Sequence, residues 1–256
     1  FFVGFLAIIP LALMFEAKKL KKEFRFDTKT FIILSFLIGL SLFFGSALQQ
    51  VALLYTDVAN AAFFTIFYVP MVPIIIFIFK KDFLHWSVWP SVILCLIGGY
   101  LLTNFQDATV RLGDTLVLLG ALFWSTHIIF TGMIIKKYNL PLTIGAIQTL
   151  LVALFSFVIG LFSEEFVIDN ILNEIDSILY AGILSGGFAF VLQIYAQRNI
   201  TPAPAAIIFS LEGVFATIAA WFLLNQILGI NNLLGCFFIL SGVLLSQLVP
   251  LVKRTT

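Results

Sequence analysis

Long apolar runs, separated by short charged or turn-rich segments, dominate the chain. Nine can be cut out, at roughly residues 1–15, 31–55, 58–79, 86–104, 113–135, 141–162, 177–197, 201–224 and 229–252. They are continuous, and most approach the ~20 residues that a helix needs to cross the hydrocarbon core of a bilayer. The alternating segments of about ten residues that a barrel would need are not seen. The links are short. "KKYNLP" (136–141) closes one helix and opens the next with Pro141 in the first turn, where a missing N–H is tolerated. Pro202 and Pro204 do the same before the run 201–224. The pattern predicts an all-α polytopic membrane protein.

Composition agrees. The chain is 61% hydrophobic and 11% charged, with a mean hydropathy of +1.12, far from the roughly one-quarter charge of a soluble domain. Cys95 and Cys236 lie inside apolar runs and imply no disulfide framework. The cations set an orientation. With the loop after the first run in the cytoplasm, Lys18, Lys19, Lys21, Lys22, Arg25, Lys29, Lys80, Lys81, Lys136, Lys137, Arg198, Lys253 and Arg254 share the inner side, and Arg111 stands alone outside. The C-terminus is then cytoplasmic, in a cell inner (plasma) membrane. Glu164, Glu165, Asp169, Glu174 and Asp176 fall in one longer outer loop. There Ile168, Ile171, Leu172 and Ile175 have helical spacing, so the loop reads either as a short amphipathic surface helix or as a solvated acidic loop.

Residues 47–104 align without a gap onto 191–248, with 11 identities in 58 positions. Leu48-Gln49 matches Leu192-Gln193, and Gly98 matches Gly242. Under the assigned orientation the two copies run in opposite directions, as in secondary transporters whose sites lie at the midplane between inverted repeats. The same offset of 144 puts the start of the first repeat about 30 residues before Phe1. One further helix is therefore expected there, making ten spans in two sets of five. The expected organisation is a first repeat over 1–104, an outer link over 105–112, a second repeat over 113–252 and a tail over 253–256.

Three stretches carry a resemblance. These are "ALLYTDVANAAFFTIFYVPMVPI" (52–74), "GDTLVLLGALFWSTHIIFTGMIIKKY" (113–138) and "AQRNITPAPAAIIFSLEGVFATIAAWFLLNQ" (196–226). They resemble the fourth, sixth and ninth helices of the EamA-type branch of the drug/metabolite transporter superfamily. The resemblance implies two five-helix repeats of inverted topology and a permease function, with efflux the commoner role. Two positions depart from the family pattern: Gly213 stands where proline is usual after the acid, and Asn225-Gln226 where Gly-Glu is usual.

Candidate residues follow from polarity at membrane depth. Glu212 sits mid-run, where a charge costs at least about 2.5 kcal/mol. It reads as a substrate contact or proton carrier lining a central cavity, or as an acid tying two helices together. Tyr68 is its mate at the offset of 144, with Pro70 and Pro73 beside it. These prolines and Gly213 are hinge candidates, since proline kinks a helix and frees backbone groups that a cavity can use. Trp124 and His127 are three residues apart on one helix face, Trp124 as a cavity wall, His127 as a proton site or a packing residue. Gln49 and its mate Gln193, with Gln148 and Asn60, are amides that need partners in lipid. Gly182-x-x-x-Gly186 is suited to close helix packing.

No G-x-x-x-x-G-K-[ST], H-E-x-x-H or G-x-S-x-G motif is present, so neither self-powered transport nor intramembrane catalysis is expected. No metal or cofactor is expected, and nucleic acid is not an expected partner. The expected partners are a lipid bilayer and a small-molecule substrate. Proton coupling and a homodimer are left open. The expected function is export of a small metabolite, amino acid or amphipathic compound by alternating access. The alternative is a non-transporting membrane scaffold or lipid-handling protein.

Overall fold

The computed structural model describes residues 1–81, 84–103, 111–163 and 167–252, without the side chains of 23–26, 80, 170, 224 and 252. Among the described residues it is all-helical, with no strand. In chain order the helices are α1 (Phe2–Phe15), α2 (Ala17–Ala52), α3 (Val58–Thr65), α4 (Tyr68–Lys80), α5 (Val88–Thr103), α6 (Leu112–Tyr138) and α7 (Pro141–Ser163). There follow α8 (Ile168–Asn173), α9 (Ile175–Tyr180), a π-helical stretch Ala181–Ala189, α10 (Phe190–Ala196), α11 (Pro202–Phe209), α12 (Leu211–Leu224) and α13 (Ile230–Val252).

Among the described residues, seven segments are long and apolar enough to cross a membrane, and two apolar helices, α1 and α5, are shorter. The first and fourth of the nine expected spans thus correspond to helices of 14 and 16 residues. Residues 105–110 of the outer link, Glu164, Glu165 and the tail 253–256 lie outside the described residues, as do the side chains of Arg25 and Lys80. Helix α2 begins well before residue 31. It is already helical at Ala17 and breaks at Asp27, whose φ −156° and ψ 59° are non-helical. The Asp27 carboxylate then accepts from the Thr30 N–H, an N-cap for the spanning part.

The chain divides into two compact units, each drawing on both halves of the sequence. Unit 1 comprises residues 1–44 and 130–200. Its main core gathers Phe31, Leu34, Ile38, Ile134, Ile135, Tyr138, Leu140, Ile144 and Ile194. α1 meets the π-helical stretch at Gly4, where a β-carbon would stand 2.8 Å from the Gly182 carbonyl. The close contact expected of Gly182 and Gly186 is therefore made with α1. The first turn of α7 is capped from afar: Glu16, after α1, accepts the N–H groups of Leu142 (3.1 Å) and Thr143 (2.8 Å). These donors would otherwise be orphaned, and an acid at a helix N-terminus also opposes the helix dipole.

Unit 2 comprises residues 45–129 and 201–256. α5 and α13 pack face to face through glycine. A β-carbon on Gly98 would meet the Gly235 carbonyl (2.7 Å) and Ile239; one on Gly242 would meet the Ser91 carbonyl (2.8 Å) and Cys95. Contacts pairing 98 with 235 and 91 with 242 require antiparallel helices. Moreover 235 is 91 plus 144, 239 is 95 plus 144 and 242 is 98 plus 144. Residues at the repeat offset exchange partners, as across a two-fold axis.

Candidate functional site

Two membrane segments of unit 2 are broken in the middle, and the breaks are 144 residues apart. α3 starts after Asp57 (φ −74°, ψ 150°) and α11 after Thr201 (φ −75°, ψ 153°). α4 ends at left-handed Lys81 and α12 at left-handed Asn225. At the breaks, Val69 N–H donates to Ile66 O (2.9 Å) and Gly213 N–H to Ser210 O (3.2 Å), the same three-residue bond at matched positions. Each segment thus tightens for a turn and resumes as a new helix.

The causes differ. Pro70 has no N–H for Ile66 O, and its ring would clash with that carbonyl, four residues back. The break consequently lies at Ile66–Phe67, while Pro70 and Pro73 are inside α4. In the other segment the Ser210 hydroxyl donates to Ile207 O at 2.6 Å, a back-bond that bends helices. Gly213 lies inside α12, where a β-carbon would stand 3.3 Å from Leu102.

The break puts Tyr68 at the first position of α4 and Glu212 in the first turn of α12. Glu212 and the Cys95 thiol both lie near enough to the Tyr68 hydroxyl to act on it electrostatically. That hydroxyl is buried with no partner among the described residues, whereas Glu212 is exposed. Ser210 also reaches Cys95 Sγ at 3.4 Å, joining the α11–α12 break to α5. The result is a small polar group of Tyr68, Cys95, Ser210 and Glu212, set beside an apolar core that includes Val69, Val72, Ala203, Ala206 and Ile207.

A second group lies on α2 and α6, also in unit 2. The Trp124 indole lies against Gly45, with ring atoms 3.2 Å from where a β-carbon would be, and its Nε1–H donates to Gln49 Oε1 at 3.1 Å. His127 is fully buried, and its ring stands edge-on to Trp124 with centroids 6.1 Å apart. Ser125, between them in sequence, donates to Ala121 O (2.7 Å) and to the Tyr68 carbonyl (3.4 Å), linking α6 to α4. Asn60 is buried on α3, its Nδ2 without a partner among the described residues.

Gln148 and Gln193 are in unit 1, the first buried and the second half-buried. The structure therefore gathers Gln49 with Trp124 and His127, and Tyr68 with Glu212. Sequence reasoning missed Ser210 and Ser125. A signal for Ser210 was present, since it is the offset mate of Ile66, the carbonyl that Pro70 disrupts. It also missed Asp114, a buried first-turn acid of α6 that accepts from Thr56 Oγ1 (2.5 Å) and the Arg111 N–H (2.8 Å). Arg111 in turn pairs with exposed Asp57 at 2.7 Å.

Comparison with known proteins agrees with this architecture. The EamA-like transporter family matches residues 111–248. An uncharacterized transporter of Archaeoglobus fulgidus is 32% identical over 83% of this chain and 68% of its own length. The uncharacterized transporter YoaV of Bacillus subtilis is 24% identical over 94% of this chain and 84% of its own. WAT1-related protein At3g18200 of Arabidopsis thaliana is 27% identical over 51% of this chain and 35% of its own. A solved crystal structure superposes with a TM-score of 0.67 at 13% identity, over 99% of this chain and 97% of that one, a likeness of fold. The likeness in sequence thus runs through both halves of the chain, and on it the chain belongs to the EamA-like transporter family of multi-pass membrane transporters.

Proposed function

We propose that the chain is a secondary carrier that exports a small metabolite, amino acid or amphipathic compound by alternating access of two inverted repeats, residues 1–104 and 113–252, with the C-terminus in the cytoplasm. The observation that carries this reading is the duplicated break. Two segments interrupted at matched positions hold Tyr68 and Glu212 at the ends of their resumed halves, and α5 and α13 pack antiparallel with exchanged partners. Interrupted helices at membrane depth are where carriers hold substrates and coupling ions, because unbonded backbone and helix ends are available there.

In this reading Glu212 carries the proton or meets the substrate. Its first-turn position suits a carboxylate that is charged for part of the cycle. Tyr68 offers a hydroxyl beside it. Trp124, fixed by Gln49 and Gly45, walls the path, and His127 and Asn60 line it. Gln148 and Gln193 are substrate contacts within unit 1. Pro70, Pro73 and Gly213 allow the two broken segments to flex.

The test uses protein reconstituted in liposomes that enclose a pH dye, challenged with amino-acid and metabolite pools. Substrate-dependent proton movement that is lost in Glu212→Gln supports a proton-coupled carrier with Glu212 in the path. Movement retained in that variant removes Glu212 from the path. Absence of both proton movement and labelled-substrate flux with every pool sinks the carrier reading in favour of a scaffold.

A further inference from the structure

The first ten residues of α2 precede the span. They are helical from Ala17 and separated from it by the break at Asp27. Their orientation is fixed on one side. Leu20 packs against the Phe31–Ile194 core, Lys19 Nζ donates to the Asn139 carbonyl at 2.9 Å, and Glu16, one residue upstream, is buried on the α7 N-terminus. The break itself is pinned by the Lys137–Asp27 ion pair and by Tyr138 OH on the Asp27 carbonyl (3.2 Å). The opposite face is left with Lys18, Lys21 and Lys22, at the i, i+3, i+4 spacing of one helix stripe and all exposed.

We propose that this stripe binds the anionic headgroups of the leaflet in which it lies. A run of lysines is ordinarily a solvated face; here its place between two apolar helices argues for lipid. The segment joins two membrane helices, α1 and the spanning part of α2, and at 1.5 Å per residue its ten residues reach only about 15 Å. Both ends are tied at the bilayer surface, so the lysines stay within about one Debye length, ~8 Å at physiological ionic strength, of the phosphates. A rigid helix holding three ammonium groups in that layer attracts acidic lipid, with an effect on the order of fivefold in relative affinity for each lysine. The protein-facing side is filled by Glu16, Lys19 and Leu20, so the stripe cannot turn away from the headgroups without breaking those contacts. The inference does not depend on the transport reading.

The experiment places the protein in nanodiscs and measures, by electron paramagnetic resonance, the immobilised fraction of spin-labelled phosphatidylglycerol against spin-labelled phosphatidylcholine. The wild type is expected to prefer phosphatidylglycerol, and the preference to fade between about 0.05 and 0.5 M sodium chloride as charges are screened. K18Q/K21Q/K22Q should reduce it at least tenfold, K18R/K21R/K22R should keep it, and K81Q/K136Q should leave most of it. The wild-type salt series stands alone if the triple variant does not fold. No preference in the wild type, or an undiminished one in the folded triple glutamine variant, overturns the proposal. Displacement of the labelled lipid by inorganic phosphate beyond that by chloride of equal ionic strength also overturns it, assigning the stripe to a soluble anion.

Discussion

The α3–α4 and α11–α12 segments are nearly the same object built twice. They share entry dihedrals, the three-residue bond at the break and a left-handed exit. They differ in the chemistry that makes the break and in the side chain left at its edge. In one a proline imposes the interruption, and a buried phenol sits beside it. In the other a serine back-bond lies at it, and an exposed carboxylate sits there. The backbone geometry is shared while the side chain at its edge differs, so the two segments are unequal at Tyr68 and Glu212.

The strongest challenge to this comparison is to exchange the edge groups. Glu212→Gln should lower substrate-coupled proton flux more than tenfold, a change of at least about 1.4 kcal/mol in barrier. Tyr68→Phe removes a hydroxyl with no partner among the described residues and should lower flux about threefold or less. Equal losses would erase the asymmetry.

Packing comes next. Gly98→Val and Gly242→Val each force a β-carbon to within 2.8 Å of a backbone or side-chain atom of the facing helix. Each should destabilise by about 1–3 kcal/mol, and by similar amounts, in denaturation of the detergent-solubilised protein. A large loss from one and none from the other would break the two-fold exchange between α5 and α13.

The causes of the breaks can be separated by hydrogen–deuterium exchange. Pro70→Ala restores a donor for Ile66 O, and Ser210→Ala removes the bond to Ile207 O. Exchange should slow over 66–71 in the first and over 207–213 in the second. Unchanged exchange in either would mean that surrounding packing, and not the local residue, holds that segment broken. The smallest effect is expected at Gln49→Leu, about 1 kcal/mol for its bond to the Trp124 indole. That loss should vanish when Trp124 is already phenylalanine.

Much of this was legible in the sequence, and the limits have physical causes. Apolar runs mark membrane segments because lipid demands them, and the offset of 144 found Tyr68 as the mate of Glu212. The positions of the breaks were displaced because proline acts on the carbonyl four residues back, so Pro70 and Pro73 marked the residues after the break. Gly213 drew attention as the residue standing where proline is usual, while Ser210, which lies at the break, carries a side-chain bond that composition does not reveal. The runs at 1–15 and 86–104 read as spans because they are continuously apolar, and α1 and α5 within them have 14 and 16 residues. The helix from Ala17 was hidden by its charge, which a search for apolar runs discards. Glu16 was invisible because its partners are 126 and 127 residues away.

That separation orders events in time. Glu16 leaves the ribosome long before the N–H groups it caps, and at about 5–20 residues per second the wait is roughly 6–25 s. Throughout that interval the carboxylate must be satisfied by water at the bilayer surface, and α1 is held by less than its final contacts. Closure of the α7 N-terminus is accordingly a late step of biogenesis. It ties α1 to α7, so that a nascent chain arrested before α7 carries an acid with no helix to cap.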